Sequence, residues 1–457
     1  MSFSRCNILL LLTVLCGCRT VKDARQAQAG GDRRPGEATV TAAQAGLTQN
    51  KVLTLAELEQ IALTYHPALL QARQAAESAR LQCRIAHAGR LPQISASGAY
   101  NRGTSNVYGQ RPNSAATHGS WSGSLGLDLL LYDFGKLDAQ ERQALEALVA
   151  AEEQLRTAEL EVVYNVRSAF FELHRSEELF VVALESVKQY AEHLEEARTM
   201  VEVGTRRQYD VTKAEVDWGN ARMDVITYSN ALQVTRAQLN RNLGLAEAPD
   251  CAVGDGGMVP RQESVDRLMS IARDNAPSLA VLRARERAAS AYVDQTIADL
   301  YPDLSLGANT SLSGRGFPLA WNFSWALQVA QNVFDGHRKT ARIQDAVTQL
   351  RTARSKVAEE EQSLHFELTT AVTQREGAKK RLEISELIER QAVENLEIVN
   401  EQYRVGLSSS IERTDAQVTV TQAKADVVRA RYDAQAAYAR IVQLIGEPAG
   451  AEKPKSR

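Results

Sequence analysis

Residues 121–135 read WSGSLGLDLLLYDFG. Trp121, Leu125, Leu127, Leu129 and Leu131 alternate with Ser122, Ser124, Gly126, Asp128 and Leu130. A period of two marks a strand with one apolar face. At Tyr132-Asp133-Phe134-Gly135 the alternation ends, and 69 residues separate Gly135 from Gly204. A helix of that reach spans about 100 Å at about 1.5 Å per residue, longer than any ordinary globular domain.

The same junction occurs again. Residues 321–336 read WNFSWALQVAQNVFDG, with Trp321, Phe323, Trp325, Leu327 and Val329 alternating with Asn322, Ser324, Ala326 and Gln328. Tyr132-Asp133 matches Phe334-Asp335 at an offset of 202, and the glycine that follows, Gly135 or Gly336, falls one residue earlier in the second copy. Val203-Gly204 matches Val405-Gly406, and Gly244 matches Gly446, at the same offset. Upstream the offset is 210: Leu58-Glu59-Gln60-Ile61-Ala62 matches Leu268-Met269-Ser270-Ile271-Ala272, and Pro67, Leu69, Arg73 and Pro92 match Pro277, Leu279, Arg283 and Pro302. The chain is therefore an internal duplication. Each half predicts a helix of about 35 residues (Leu55 to Gly89; Val265 to Asp299), two strands, a very long helix and a return helix. The partner strands are Ile94 to Arg102 and Leu304 to Thr310.

One strand face is apolar and aromatic, the other small and polar. In a soluble sandwich the polar face would meet water. In a membrane barrel it would line the lumen, with Trp121, Trp321 and Trp325 at an interface girdle. Four strands cannot close a barrel, and open edges cannot sit in lipid, so insertion demands oligomerisation.

The helices repeat every seven residues. Leu173, Phe180, Val187, Leu194 and Val201 form one row, with Leu184 and Ala191 between; Glu177 and Arg198 interrupt that second row. Trp218, Val225, Leu232 and Leu239 form another, with Ala214, Ala221 and Tyr228 between. Val420, Val427, Ala434 and Ile441, with Ala416, Ala423, Ala430 and Ala437, are its second-half equivalents. Such repeats predict left-handed coiled coils with close, alanine-lined approach. The glycines of the Val-Gly turns supply the left-handed backbone that ends a helix and reverses the chain.

The chain has 457 residues and a net charge of −3, against a nucleic-acid partner. No apolar run of about 18 residues is present, so no transmembrane helix is expected; a barrel is not excluded. Arg5 and the apolar stretch Ile8 to Cys16 predict a signal peptide. It ends Leu15-Cys16-Gly17-Cys18, similar to a bacterial lipobox, with Cys18 as the acylated residue. Cys83 and Cys251 then remain, too few for a disulfide framework. The predicted division is a lipoprotein signal peptide (1–17), an acylated N-terminus and flexible tether (18–50), a first repeat (51–246), a linker (247–262), a second repeat (263–446) and a C-terminal tail (447–457).

This ordered set resembles the TolC-type outer-membrane efflux family over roughly residues 50 to 446. The resemblance is carried by the duplicated proline-bounded helices, the strand pairs, Tyr132-Asp133-Phe134-Gly135, Val203-Gly204-Thr205 and Val405-Gly406-Leu407-Ser408. It implies a mainly α fold with a small β part, and a homotrimer with a 12-stranded outer-membrane barrel and a periplasmic helical tunnel. The implied partners are a periplasmic adaptor (membrane fusion) protein at the tips, an inner-membrane efflux pump and outer-membrane lipid. The implied function is a passive exit duct without cofactor or metal. Asp210, Tyr403, Glu412 and Asp415 would line or close the periplasmic entrance, with an Asp210–Tyr403 hydrogen bond as the gate contact. Glu412 and Asp415, spaced i, i+3, share a helix face and under threefold symmetry stack as two acidic rings; alternatively they are a solvated helix start. A basic partner is expected two residues after Gly406, but Ser408 stands there, which leaves Arg404 or Arg413 for that task.

An enzyme is not expected. None of the seven histidines forms HExxH, and no CxxC, GxSxG or phosphate loop is present. His174 with Glu177 and His193 with Glu196 are expected on solvated helix faces. The rival reading is a periplasmic, lipid-anchored coiled-coil adaptor or scaffold, which has no need of Trp-bearing strand pairs.

Overall fold

The structure is a computed structural model that describes residues 21–22, 24–25, 53–105, 116–245 and 264–446. Cys18, Cys251, the 247–262 linker and the 447–457 tail lie outside the described residues, as does the 18–50 tether apart from the helical Val21, Lys22, Ala24 and Arg25.

The first repeat contains α1 (Leu55–Tyr65), α2 (Pro67–Ala88), β1 (Gln93–Ser105), β2 (Ala116–Tyr132), α3 (Lys136–Glu202) and α4 (Gln208–Leu243). The second contains α5 (Val265–Asn275), α6 (Pro277–Ala298), β3 (Asp303–Gly314), β4 (Ala320–Ala330), α7 (Arg338–Arg404) and α8 (Ser410–Leu444). The long helices α3 and α7 are each 67 residues, as the gap between junction and tip requires.

The expected 35-residue helices are each two helices. Proline disfavours the helical region for the residue before it. His66 (ψ 125°) and Ala276 (ψ 116°) are accordingly extended, and the chain bends at both places. Gly244 and Gly446 lie against these bends. A Cβ on Gly244 would stand 2.9 Å from His66 Cα, and one on Gly446 would stand 2.5 Å from the Asn275 carbonyl oxygen. Both glycines have positive φ, so backbone conformation and close approach exclude a side chain together.

The four strands form one antiparallel sheet in the order β1-β2-β3-β4. Tyr100 pairs with Trp121, and Leu312 with Trp321, which keeps the aromatic residues and most leucines of the strands on one face; Leu130, opposite Ser305, is on the other. Among the described residues that face is uncovered: Trp321, Trp325 and Val329 are 67%, 69% and 66% exposed. Trp121 contacts Tyr100 (4.6 Å between centroids) and Phe317 (6.5 Å). A second aromatic cluster lies at the helix end of the strands, where Phe134 packs on Tyr132 (4.8 Å) and Tyr301 (5.1 Å). β2 is 17 residues long, beginning before the expected Trp121, and its pairing slips between Leu130 and Tyr132.

The strand-to-helix junctions explain the displaced glycine. Phe134 and Gly135 are both left-handed (φ 55° and 86°), and so are Gly336 and His337 (φ 69° and 66°). Each junction thus needs two successive left-handed residues, and glycine fills one or the other. An aspartate starts the helix in both: Leu137 N–H donates to Asp133 (2.6 Å) and Lys339 N–H to Asp335 (3.2 Å).

The residues fall into two compact units, each drawing on both repeats. One gathers described residues within Met1–Pro67, Asn165–Gly257 and Arg381–Tyr432; the other, within Ala68–Tyr164, Met258–Lys380 and Asp433–Arg457, includes the sheet. In the first unit the heptad period holds, but the buried rows of α3 differ from those expected. Ser176, Ala183, Tyr190 and Ala197 form one buried row, and Leu179, Ser186 and His193 another. Leu184 is 45% exposed, and of the expected row only Leu173 and Leu194 are fully buried. The shift follows from two neighbours: α3 packs on α4 through Leu194, Ala197, Val211 and Ala214, and on α8 through Leu179, Ala425 and Val428. The alanines Ala214, Ala221, Ala416, Ala423 and Ala430 are buried as expected.

Glu59 of α1 and Arg167 of α3, both buried, form an ion pair at 2.6 Å. The counterpart of Glu59 in the second repeat is Met269, which packs among Leu364, Leu368 and Val372. The same corner is thus built once with charges and once without. Removing one member of a buried pair costs about 3–5 kcal/mol, whereas replacing both with apolar residues is often neutral. Glu59→Ala or Arg167→Ala alone is therefore expected to lower stability by about that amount, and Glu59→Met with Arg167→Met to restore it. Urea melts followed by helical circular dichroism check this; equal losses in single and double variants would contradict it.

Candidate functional site at the two helix tips

Both tips end in the same six-residue closure. Thr205 N–H donates to Met200 O (3.0 Å) and Gly204 N–H to Val201 O (3.0 Å). Leu407 N–H donates to Gln402 O (2.8 Å) and Gly406 N–H to Tyr403 O (3.1 Å). This is the Schellman arrangement, in which a left-handed glycine satisfies the last carbonyls of a helix. Gly204 and Gly406 have φ of 80° and 83°, and open space surrounds both. Val203, Val405 and Leu407 are 72%, 69% and 81% exposed, so the turns hold apolar side chains out to solvent.

Each hairpin has its own apolar seam. Leu194, Ala197, Val211 and Ala214 join α3 to α4; Ala392, Val420 and Ala423, with Val393 and Leu396, join α7 to α8. Between the hairpins, near the tips, the described contacts are largely polar. Ser410 Oγ donates to Asp210 (2.6 Å), Arg413 pairs with Glu196 (2.6 Å) and Thr414 Oγ1 donates to Asp217 (3.1 Å). Further along α8, Gln417 bonds Gln189, Lys424 pairs with Glu185 (2.8 Å), and Tyr432 donates to Glu178 (2.6 Å).

The link between the tips is Arg206. Its guanidinium donates to the carbonyls of Tyr403 (3.1 Å) and Ser408 (3.0 Å) and lies 4.4 Å from the Tyr403 ring centroid. Arg413 lies 4.8 Å from the same centroid. Tyr403 is fully buried, and burial, with Asp210 nearby, pushes its phenol above the usual range.

The expected Asp210–Tyr403 hydrogen bond is not formed. Asp210 is taken by the Ser410 hydroxyl, and the Tyr403 hydroxyl has no hydrogen-bond partner among the described residues. The basic residue expected two positions after Gly406 stands two positions after Gly204 instead, as Arg206, the duplicate of Ser408. Comparing the two tips at offset 202 would have found it. Of the two arginines considered earlier, Arg413 reaches Tyr403 and Glu196, while Arg404 reaches Glu196 (3.7 Å) and Glu401 (2.9 Å).

Glu412 and Asp415 are exposed near the start of α8. Glu412 closes a capping box with Ser409: Ser409 N–H donates to its carboxylate (3.0 Å) and Glu412 N–H to the Ser409 hydroxyl (3.3 Å). The Ser408 hydroxyl also donates to it at 2.6 Å; that bond and the Ser409 N–H hold its pKa below the usual range. Glu412 therefore has a structural task at the helix start.

The expectation of solvated histidines is overturned. His193 is 6% exposed, and its ring meets Tyr403 edge-on at 5.8 Å. Burial, aided by Arg413, pulls its pKa down to about 4. His174 is half-buried, edge-on to Phe170 at 4.7 Å and stacked on Tyr432 at 6.2 Å. The signal in the sequence is the row Leu179, Ser186, His193 at spacing seven, which is faint because two of its members are polar.

The family model described as "Outer membrane efflux protein" matches residues 58–245 and 268–447. The chain is 23% identical over 406 residues to the probable efflux pump outer membrane protein TtgC of Pseudomonas putida, covering 86% of this chain and 82% of that one. It is 24% identical over 398 residues to the probable outer membrane lipoprotein SilC of Salmonella typhimurium, covering 81% and 80%. The crystal structure of the outer membrane protein VceC from Vibrio cholerae shares the fold with a TM-score of 0.76 at 18% identity, covering 86% of this chain and 96% of that one. These matches favour an outer-membrane channel component over an adaptor, and the chain belongs to the outer membrane efflux protein family.

Proposed function

We propose that three copies of this chain form a passive exit duct in the outer membrane. A periplasmic adaptor joins the duct to an inner-membrane pump, which supplies the cargo and the energy. The observation that carries this reading is the sheet: four strands with one exposed aromatic face and edges β1 and β4 unpaired among the described residues. Pairing β4 of one copy with β1 of the next removes every edge and gives a 12-stranded barrel. The apolar face then meets lipid, with Trp121, Trp321 and Trp325 as girdle residues. The inner face is serine, glycine, asparagine and glutamine, with Asp128 and Asp303 as its charges along the paired strands. Such a lumen discriminates little, as a duct for delivered cargo requires.

At the turns that close the two helical hairpins, Val203, Gly204, Thr205, Val405, Gly406, Leu407 and Ser408 form the adaptor-docking tips. Their exposed backbone and short apolar side chains suit intermeshing with another helical hairpin. Asp210, Tyr403, Glu412 and Asp415 form the entrance, and Arg206 joins them as the residue that ties the two tips. Cys18 carries the lipid that holds the N-terminus at the membrane; multiple acyl chains make a stable anchor.

Purified protein in a planar bilayer should show small, long-lived, cation-preferring steps. Arg206→Ala removes two charged hydrogen bonds and a cation–π contact, so conductance should rise on the order of tenfold; unchanged conductance would remove Arg206 from the gate. Glu412→Gln with Asp415→Asn should move the reversal potential in a salt gradient toward zero, and an unmoved potential would sink the ring assignment. Gly204→Trp or Gly406→Trp should abolish export while leaving oligomers intact on native gels. Normal export from these variants would place docking elsewhere.

A further inference from the structure

His193 and Tyr403 form a buried pair with unused polar atoms. Neither His193 Nε2 nor Tyr403 Oη has a hydrogen-bond partner among the described residues. The pair joins the hairpins, since His193 is on α3 and Tyr403 is in the last turn of α7. Cations already crowd it: Arg206 and Arg413 lie within 4.4 and 4.8 Å of the Tyr403 centroid.

The acids around His193 are engaged. Glu196, on its own helix, pairs with Arg413 of α8 (2.6 Å) and Arg404 of α7 (3.7 Å). Asp217 of α4 pairs with Lys213 (3.2 Å) and accepts the Thr414 hydroxyl (3.1 Å). Asp210, nearest Tyr403, accepts from Ser410 (2.6 Å). A proton on His193 therefore meets the Arg413 guanidinium and the Lys213 ammonium, while the nearby carboxylates Glu196 and Asp217 are already committed to other partners. A buried charge without a partner is strongly unfavourable.

We propose that His193 is an acid-sensitive latch: its protonation expels the imidazole, withdraws support from Tyr403 and frees the second tip from the first. The latch deepens the gate reading above and rests on it only for the consequence that release opens the duct. Burial, with Arg413 adding to it, sets the latched imidazole near pKa 4 against an ordinary 6.5. The released state binds the proton more tightly. The latch is therefore at full strength above about pH 6.5 and is lost as pH falls toward about 4. At about pH 5 the released state should gain about 30-fold over its share near neutrality.

The test is hydrogen–deuterium exchange of the full chain in its native oligomer, at about pH 7.5 and about pH 5, with rates corrected for intrinsic exchange. Peptides covering 190–206 and 400–413 report the latch, and bilayer conductance at the same pH values reports the duct. Wild type should lose protection about 30-fold in acid and conduct more, while His193→Gln should hold its protection. Should His193→Gln not assemble, His193→Phe fills the same space without a titrating group and gives the same comparison. Equal loss in wild type and variant, or retained protection in acid wild type, overturns the latch. Loss in wild type alone with unchanged conductance leaves the latch standing and overturns the gate reading instead.

Discussion

A peptide group in hydrocarbon must have its hydrogen bonds made by other peptide groups. Four antiparallel strands make these bonds in the middle of the sheet and, among the described residues, leave them unmade along the outer edges of β1 and β4. An edge of that kind in water invites uncontrolled pairing, and in lipid it is excluded. The aromatic face of β4 and the serine-rich face behind it make sense once the edges are closed by other copies. The duplication serves the same end, since each repeat brings one strand pair with its own long helix.

At the tips the balance of forces is different. Within each hairpin the seam is apolar and small: Leu194, Ala197, Val211 and Ala214 in one, Ala392, Val420 and Ala423 in the other. Between hairpins the contacts described near the tips are largely ion pairs and hydrogen bonds, several with partly exposed side chains. Exposed pairs contribute about 0–1 kcal/mol each, far less than burial of an equal number of leucines. Near the tips the two hairpins are thus joined largely by soft polar contacts, while further along, Leu179 of α3 with Ala425 and Val428 of α8 adds an apolar one. At the Tyr403 cluster Tyr403 and His193 are buried, with Arg206 and Arg413 half-buried beside them.

Much of this was legible in the residues. Alternation at Trp321–Val329, the equal spacings between glycines and the left-handed turns at Gly204 and Gly406 each follow from one local rule. The family resemblance followed from their order. What escaped was set by neighbours. The break at Pro67 was masked by uninterrupted apolar periodicity across it. Leu184 reads as a seam residue but faces away from both partners of α3. His193 reads as a surface residue because a seam rarely carries an imidazole, yet it is buried, with Tyr403 of another helix edge-on to its ring. Arg206 escaped because its partners are carbonyl oxygens some two hundred residues away, which carry no side-chain signature.

The paired left-handed residues at the strand-to-helix junctions affect how the repeats are compared. Glycine sits second in Phe134-Gly135 and first in Gly336-His337, so what the halves share is a backbone conformation, not a residue. Superposing the glycines, the obvious landmark, slides one long helix past the other by a single residue. At about 3.6 residues per turn that slip is a rotation of about 100°. Every inward position of α3 would then be compared with a sideways position of α7, over the full length of both. The aspartates, Asp133 and Asp335, fix the true register, because each caps its helix through the same atoms at the same distance along the chain.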